Sequence, residues 1–204
     1  RSLLTENVSG DLPVPVVVDA VLKGFFEDDS KGNASEEALY QAVKASLTSS
    51  HLNAPFDIWD KYGYMPEDLQ SQSVSISLEA SFDDWCAAQF AKRIGDTTAY
   101  AFFMKRASNY RNLFHPEQGF FQPKDSQGRW IQPFDPYKYG ANGGYPFTEG
   151  NAWQYTWHVQ HDVPGLIALF GGEESFLNKL DSVFTVELKT SQADVTGLIG
   201  QYAH

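Results

Sequence analysis

Apolar residues recur at intervals of three and four positions, the helical period, in several separate stretches of this chain. The first stretch begins near Asp11, and the second follows Ser35, which is expected to cap its helix. A third runs over residues 75–94, and Asp96 is expected to cap a fourth. The apolar positions that define the four helical faces are Val14, Val17, Val18 and Val21; Leu39, Val43 and Leu47; Ile76, Leu78, Phe82, Trp85, Cys86 and Phe90; and Tyr100, Phe103, Ala107, Tyr110 and Phe114.

Long loops rich in Gly, Pro and aromatic residues separate these helices from shorter ones later in the chain. Residues 50–72 and 115–147 are predicted as irregular connections, and loops of that length often shape functional clefts. The second loop is expected to hold a small β-hairpin between residues 119–121 and 129–131. Further helices are predicted after Thr148, from Val163 to Phe170, after Glu173 and from Asp194. The pattern therefore predicts a mainly α fold of antiparallel helix pairs joined by long aromatic loops.

The stretch from Gly143 to Gly165 has an unusual density of aromatic and titratable side chains. Thr148 is expected to cap a helix there, with Glu149 in its first turn, where the helix dipole favours negative charge. Trp153 and Trp157 follow Glu149 by four and eight residues. Residues at that spacing lie on one helical face. The pattern thus predicts a carboxylate beside two indole rings.

An acid in such surroundings has two interpretations. A carboxyl group walled by aromatic carbon loses hydration, which disfavours its charged form and suits a general acid. Indole rings also offer flat apolar surfaces that stack on the C–H faces of sugars. Glu149 is therefore either the acid of a sugar-cleaving site or a helix-cap acid beside tryptophans of the core, and the spacing alone leaves both open.

Composition narrows the classes of partner. The net charge of −11 argues against binding to nucleic acid or to an anionic membrane, because both need a basic surface. The single cysteine, Cys86, excludes an internal disulfide and a multi-cysteine zinc site. No apolar run reaches the length of about 18 residues that a membrane span needs. Because the chain begins at Arg1 without a signal-peptide hydrophobic region, it is expected to be an excised or processed segment.

Several motifs resemble one enzyme family. The run from Thr148 to Trp157, followed by His161 to Leu166, resembles the signature of the bacterial exo-acting α-mannosidases of glycoside hydrolase family 92. Other stretches are similar to the same family, in the same order along the chain. They are Asp19-Ala20 with Lys23-Gly24, Asp83-Asp84-Trp85-Cys86, Phe103-Met104-Lys105-Arg106-Ala107 with Tyr110, and Gly197 to His204.

The resemblance carries expectations for fold and activity. It implies that residues 1–204 are a single segment of a larger (α/α)6 toroid, the catalytic domain. It also implies a calcium-dependent, inverting exo-α-mannosidase of the α-1,2 type that releases mannose from N-glycans, in a periplasmic or secreted location. Glu149 would be the general acid, whereas the base aspartates and most ligands of the Ca2+ ion would lie beyond His204. The chain by itself is therefore expected to be inactive.

The resemblance further implies a set of sugar contacts. The expected substrate-binding residues are Trp85, Asp84, Trp153, Gln154, Trp157, His161 and Asp162. Adjacent acids on a helix point about 100° apart. Only one of Asp83 and Asp84 can therefore face a cleft, while the other caps or is solvated, and plain packing is the alternative for Asp84 and Trp85.

Metal and base assignments stay open within the chain. His158 and His161 are three residues apart, and Asp162 follows His161. On a helix, the two histidines could bind one metal ion such as zinc. No third ligand of that type is identifiable by spacing, so the metal ligands are unassigned. Asp162 and Asp135 are the two candidates for a general base within the chain.

Two other functions compete with catalysis. A non-catalytic helical module could bind glycans through Trp153, Trp157 and Trp85. A plain helical interaction domain would instead bury its tryptophans against one another.

Overall fold

The computed structural model describes residues 13–26, 35–50, 55–140 and 145–187, and this part of the chain is mainly helical. It contains eight α-helices, a 3-10 helix over Asn109–Leu113 and one pair of short strands. The helices are α1 (Pro13–Leu22), α2 (Glu36–Ser46), α3 (Phe56–Tyr62), α4 (Ser73–Ile94), α5 (Thr97–Ala107), α6 (Ala152–Tyr155), α7 (Val163–Leu169) and α8 (Glu173–Thr185). The strands are β1 (Phe114–His115) and β2 (Phe120–Phe121).

The predicted helix caps are confirmed at α2 and α5. The Ser35 side chain accepts a hydrogen bond from the Ala38 backbone N–H at 3.2 Å. The Asp96 side chain accepts one from the Ala99 N–H at 2.9 Å. Gly95, with a φ of 86°, makes the left-handed turn between α4 and α5. Local capping chemistry is thus sufficient to predict where these helices begin.

Two predictions about the connecting segments are wrong. Residues 50–72 are not wholly irregular, because α3 forms there and buries Phe56 and Trp59. Helix α5, which corresponds to the fourth predicted helix, ends at Ala107. It does not continue to Phe114, which belongs to β1. Burial of aromatic side chains outweighs weak local propensity in both segments.

The predicted β-hairpin has a different partner. Phe121 pairs with Phe114 and Phe120 with His115, in an antiparallel ladder. The Gly119 N–H closes the turn on the His115 carbonyl at 2.9 Å. The rings of Phe114 and Phe121 meet edge to face at 5.5 Å, so the pairing brings two buried aromatic rings together.

The chain divides into two compact units. Unit 1 comprises Arg1–Gly63 and Glu79–Asn109, and unit 2 comprises Tyr64–Leu78 and Tyr110–His204. Each has an aromatic core of its own. The largest fully buried side chains in unit 1 are Tyr40, Leu47, Phe56, Trp59, Phe90 and Phe103; those in unit 2 are Met65, Leu78, Tyr110, Leu113, Phe121 and Phe147.

None of the described helices combines the length and apolar character needed to cross a membrane. The helix predicted from Asp194 lies outside the described residues.

Candidate active site

Glu149 lies in unit 2, in the segment before α6, and not inside a helix. The residue that caps α6 is Asn151, whose side chain accepts from the Gln154 N–H at 3.3 Å. The Gln154 side chain in turn accepts from the Asn151 N–H at 2.9 Å, which completes a capping box. Glu149 has a left-handed backbone with a φ of 47°. The prediction that Thr148 caps the helix is therefore wrong, because the reciprocal Asn151–Gln154 pair begins it three residues later.

The single helical face carrying an acid and two indoles does not form. Helix α6 has only four residues, so Trp157 lies beyond its end. Trp153 is 6% exposed, with Phe120 at 4.9 Å between ring centroids. Glu149 is exposed and not walled by aromatic carbon.

Hydrogen bonds hold the backbone immediately before Glu149. The Thr148 N–H donates to Ser75 Oγ at 2.8 Å, and its hydroxyl donates to Gln72 Oε1 at 2.8 Å. The Tyr155 hydroxyl donates to the Thr148 carbonyl at 2.7 Å. Every polar group of Thr148 is thus engaged, and its conformation is tightly constrained.

The backbone after Glu149 is held by a second chain segment. The Gly140 N–H donates to the Gly150 carbonyl at 2.8 Å, as part of an isolated antiparallel bridge. A Cβ at Gly140 would overlap the Phe147 carbonyl oxygen, so this approach requires glycine. Glu149 therefore lies between two anchored residues.

The Glu149 carboxylate contrasts with this anchored backbone. It is exposed, and within the described ranges it makes no hydrogen bond or ion pair. A carboxylate with no internal partner can bind a ligand without first breaking an existing bond.

Asp162 has an internal role in unit 2. It caps α7 by accepting from the Gly165 N–H at 2.9 Å, and it accepts from the Tyr110 hydroxyl and from Arg111, each at 2.7 Å. Partial burial acts to raise the pKa of Asp162, but these hydrogen bonds outweigh it and lower the pKa. His161 lies beside the same group, with its ring edge-on to Tyr110 at 5.5 Å.

The other predicted sugar contacts of unit 2 pack against aromatic neighbours. Trp157 is half-buried and stacks on Phe170, with centroids 6.0 Å apart and planes 10° apart. The Lys179 ammonium lies 4.3 Å from the ring centroid of Trp153. Burial lowers the pKa of Lys179 to about 8. Within the described part of the chain, these neighbours leave Trp153 nearly fully buried, so its ring has no free face on which a sugar could stack.

Asp84 occupies the interior of unit 1. It is fully buried and accepts from Arg106 Nε at 2.9 Å and from Trp59 Nε1 at 3.0 Å. Arg106 Nη2 also lies 2.9 Å from Asp84 Oδ1, an ion pair without hydrogen-bond geometry. Burial raises the pKa of Asp84 to about 7, although Arg106 acts in the opposite direction. These contacts favour the packing alternative for Asp84.

Asp83 and Trp85, the sequence neighbours of Asp84, differ in exposure. Asp83 is only 5% exposed, so the expectation that one acid of the pair would cap or be solvated is wrong. Trp85 is half-buried and stacks on Phe82, with centroids 6.2 Å apart. Of the four residues from Asp83 to Cys86, only Trp85 retains appreciable exposed surface.

His158 and Asp135 are the remaining candidates. Among the described residues, no group of three or more His, Cys, Asp or Glu side chains is arranged to hold a metal ion. Burial, followed by the charge of His161, lowers the pKa of His158 to about 4. Asp135 is exposed and accepts from the Tyr137 N–H at 3.0 Å.

Sequence reasoning missed the residues that hold Glu149 in place. Gln72 and Ser75 are more than 70 positions away from Thr148, and no local pattern connects them. Arg106 belongs to a motif that resembles the family, but its pairing with Asp84 is visible only in the folded chain.

Comparison with known proteins places the chain among glycosidases. The model of the glycosyl hydrolase family 92 catalytic domain matches residues 3–204. The solved structure of a family GH92 alpha-mannosidase from Bacteroides thetaiotaomicron, in complex with mannoimidazole, is 36% identical over 95% of this chain, with a TM-score of 0.84. A family GH92 inverting mannosidase from the same organism is 33% identical over 97% of the chain, with a TM-score of 0.79. The prediction of a mainly α segment of an (α/α)6 toroid is confirmed by these similarities.

A curated relative gives the same family of activities. It is an uncharacterized secreted glycosidase of Arthroderma benhamiae, 28% identical over 85% of this chain. The chain spans about a quarter of the length of these relatives, namely 25% and 28% of the two mannosidases and 26% of the fungal protein.

Proposed function

Since the chain belongs to glycosyl hydrolase family 92, we propose that the complete protein hydrolyses α-mannosides with Glu149 as its general acid. The observation that carries this assignment is the state of Glu149 itself. Its carboxylate is exposed and unpartnered among the described residues, yet its left-handed backbone lies between anchored neighbours. Strained backbone of this kind persists where surrounding contacts enforce it, and it is concentrated at functional sites.

The proposed chemistry assigns one step to this chain. Glu149 donates a proton to the glycosidic oxygen as the bond to the anomeric carbon breaks, so the aglycone leaves as a neutral alcohol. In inversion a second carboxylate, about 6.5–9.5 Å from the acid, activates water on the opposite face of the sugar. The name of one similar structure, an inverting mannosidase, supports this stereochemistry.

The general base is assigned to residues outside this chain. Asp162 is occupied by Tyr110, Arg111 and the N-terminus of α7, so using it as a base would break the contacts that hold that helix. Asp135 is exposed but accepts a hydrogen bond from a backbone N–H of its own loop. Neither arrangement suits activation of water.

Calcium dependence is part of the proposal, with most ligands of the ion placed beyond His204. Among the described residues, no group of three or more His, Cys, Asp or Glu side chains is arranged to hold a metal ion. We therefore assign no step of the reaction to the ion.

The substrate and location follow from the relatives. Mannose-containing glycans are the proposed substrates, because two of the similar structures are named as mannosidases. The α-1,2 linkage of N-glycans is proposed from the resemblance of the motifs to the family alone. A secreted or periplasmic location is proposed from the fungal relative, which is named as secreted. The 204-residue chain is proposed as one segment of the catalytic domain and to be inactive alone.

The test is Glu149→Gln in the complete protein, with Glu174→Gln as the matched control. Glu174 is also an exposed acid of unit 2, in the first turn of α8. Removing a general acid should lower kcat for an unactivated α-mannoside by about 10²–10⁴-fold. A dinitrophenyl mannoside, whose leaving group departs without a proton, should be affected far less. Retained activity of Glu149→Gln on the unactivated mannoside would exclude Glu149 as the acid.

A further inference from the structure

Two strained residues of unit 2 are linked through a single side chain. Among the described residues, Gln72 and Glu149 are the non-glycine residues with positive φ, at 57° and 47°. Thr148 precedes Glu149, and its hydroxyl donates to Gln72 Oε1 at 2.8 Å. The strain before α4 and the strain at the proposed acid are therefore joined by one hydrogen bond.

The first turn of α4 adds three further contacts to the same segment. Ser75 is fully buried, and its Oγ accepts from the Thr148 N–H at 2.8 Å. The backbone N–H groups of Val74 and Ser75 both donate to the Pro146 carbonyl, at 3.1 and 3.2 Å. The start of this helix thus binds the chain at two residues shortly before Glu149.

These contacts bear on where the Glu149 carboxylate lies. A residue with a Cβ is disfavoured in the left-handed region, and it stays there only when its surroundings hold it. If Thr148 were released, Glu149 could relax to negative φ, which would swing its side chain to a different direction. A shift of about 1 Å in a catalytic group can lower the rate by about 10²-fold.

We propose that Ser75 and Gln72 are positioning residues that hold Glu149 in its proton-donating orientation through Thr148. This inference rests on the proposed function, since it presupposes that Glu149 is the acid. It predicts a specific defect: variants of these contacts should be impaired on substrates that need a proton and nearly normal on those that do not.

The experiment uses the complete protein and two α-mannosides, one unactivated and one with a dinitrophenyl leaving group. The measured quantity is kcat on the unactivated mannoside divided by kcat on the dinitrophenyl mannoside. This kcat ratio, taken within one preparation, does not depend on the fraction of correctly folded enzyme. Ser75→Ala is compared with Ser77→Ala. Ser77 is a buried serine of the same helix, but its Oγ accepts from the Met65 N–H at 2.8 Å.

A second pair of variants isolates the hydroxyl contact. Thr148→Val removes the donor to Gln72 while preserving shape, and Thr148→Ser retains the donor while removing a methyl group. If Ser75→Ala fails to fold, this pair still tests whether contacts to Thr148 position Glu149.

The expected result is a fall in the kcat ratio of about tenfold for Ser75→Ala and about threefold for Thr148→Val, with KM little changed. The Ser77→Ala and Thr148→Ser ratios should stay within about twofold of wild type. An unchanged ratio in both Ser75→Ala and Thr148→Val overturns the positioning role, even if total activity falls. If Glu149→Gln itself leaves the ratio unchanged, it is the proposed function that fails.

Discussion

Asp84 in unit 1 and Glu149 in unit 2 are both acids within motifs that resemble the same family. Their carboxylates differ in exposure and in hydrogen-bond partners. Asp84 has no exposed surface, and its carboxylate is taken by Arg106 and Trp59. Glu149 is exposed, with no partner for its carboxylate in the ranges that the structure describes. Conversely, Asp84 lies in regular helix, whereas Glu149 has a strained backbone.

The difference separates an acid that stabilises the fold from an acid whose carboxylate is available to a ligand. A buried carboxylate must be paired, because an unpaired charge in the interior is very costly. An acid that acts on a ligand must keep its oxygens available and have its position set by the backbone. Asp84 meets the first condition and Glu149 the second.

The largest expected effect on stability tests the structural side of this comparison. Asp84→Asn removes the charge that balances buried Arg106, whose remaining acidic contact, Asp60, is half exposed. Breaking a buried pair costs about 3–5 kcal/mol, so Asp84→Asn should melt clearly below wild type. Thermal melting of the complete protein measures it, with Glu149→Gln as the control, whose free energy of unfolding should stay within about 0.5 kcal/mol of wild type. Equal changes in Tm for the two variants would contradict the distinction.

Glu79, also in unit 1, differs from both acids. Within the described ranges it has no basic partner like that of Asp84, and it is not exposed like Glu149. Its Oε2 is buried without a hydrogen-bond partner among the described residues, and burial raises its pKa to about 8 from a usual 4.5. The folded state therefore binds more protons than the unfolded state between these pH values. Stability must fall as pH rises through that window.

The variant that tests this is Glu79→Gln, which cannot titrate. Its Tm should match wild type at pH 5 and exceed it at pH 9, by the equivalent of roughly 4 kcal/mol, because a difference of one in pKa between the folded and unfolded states corresponds to about 1.4 kcal/mol of stability. Melting curves across this range measure the difference. A constant difference between the two proteins at every pH would show that desolvation of Glu79 is not the cause.

The smallest expected effect concerns strain at Glu149. Glu149→Gly removes both the carboxylate and the steric cost of a φ of 47°. We expect stability to increase by about 1 kcal/mol while activity on unactivated mannosides is lost. Glu149→Ala is the matched control, because it loses the carboxylate but keeps the Cβ and so the strain. If the glycine and alanine variants melt at the same temperature, the backbone at this position carries no measurable strain.

Local patterns predicted the parts of the fold that depend on neighbouring residues. Ser35 and Asp96 cap their helices as expected, because a cap needs only a side chain and an N–H three residues later. The prediction failed at Thr148, which does not cap a helix. Thr148 is engaged by Gln72 and Ser75, so Asn151 becomes the cap.

The arrangement around the candidate acid could not be predicted from the sequence. The resemblance drew attention to Glu149, but the expectation that two indole rings would flank it on one helical face was wrong, because α6 is only four residues long and Trp153 packs against Phe120. The role of Asp84 could not be chosen from the sequence. Its outcome depends on Arg106, 22 residues away, and on Trp59, 25 residues away.

By itself, the sequence determined the family, the mainly helical class and the positions of several helix caps, because these depend on motifs and on contacts within a few residues. Only the tertiary structure decided which acid is enclosed and which is presented. That choice is made by hydrogen bonds between distant segments, from Ser75 and Gln72 to Thr148 and from Arg106 to Asp84. A carboxylate's surroundings, rather than its position in a motif, set whether it stabilises the fold or is free to act on a substrate.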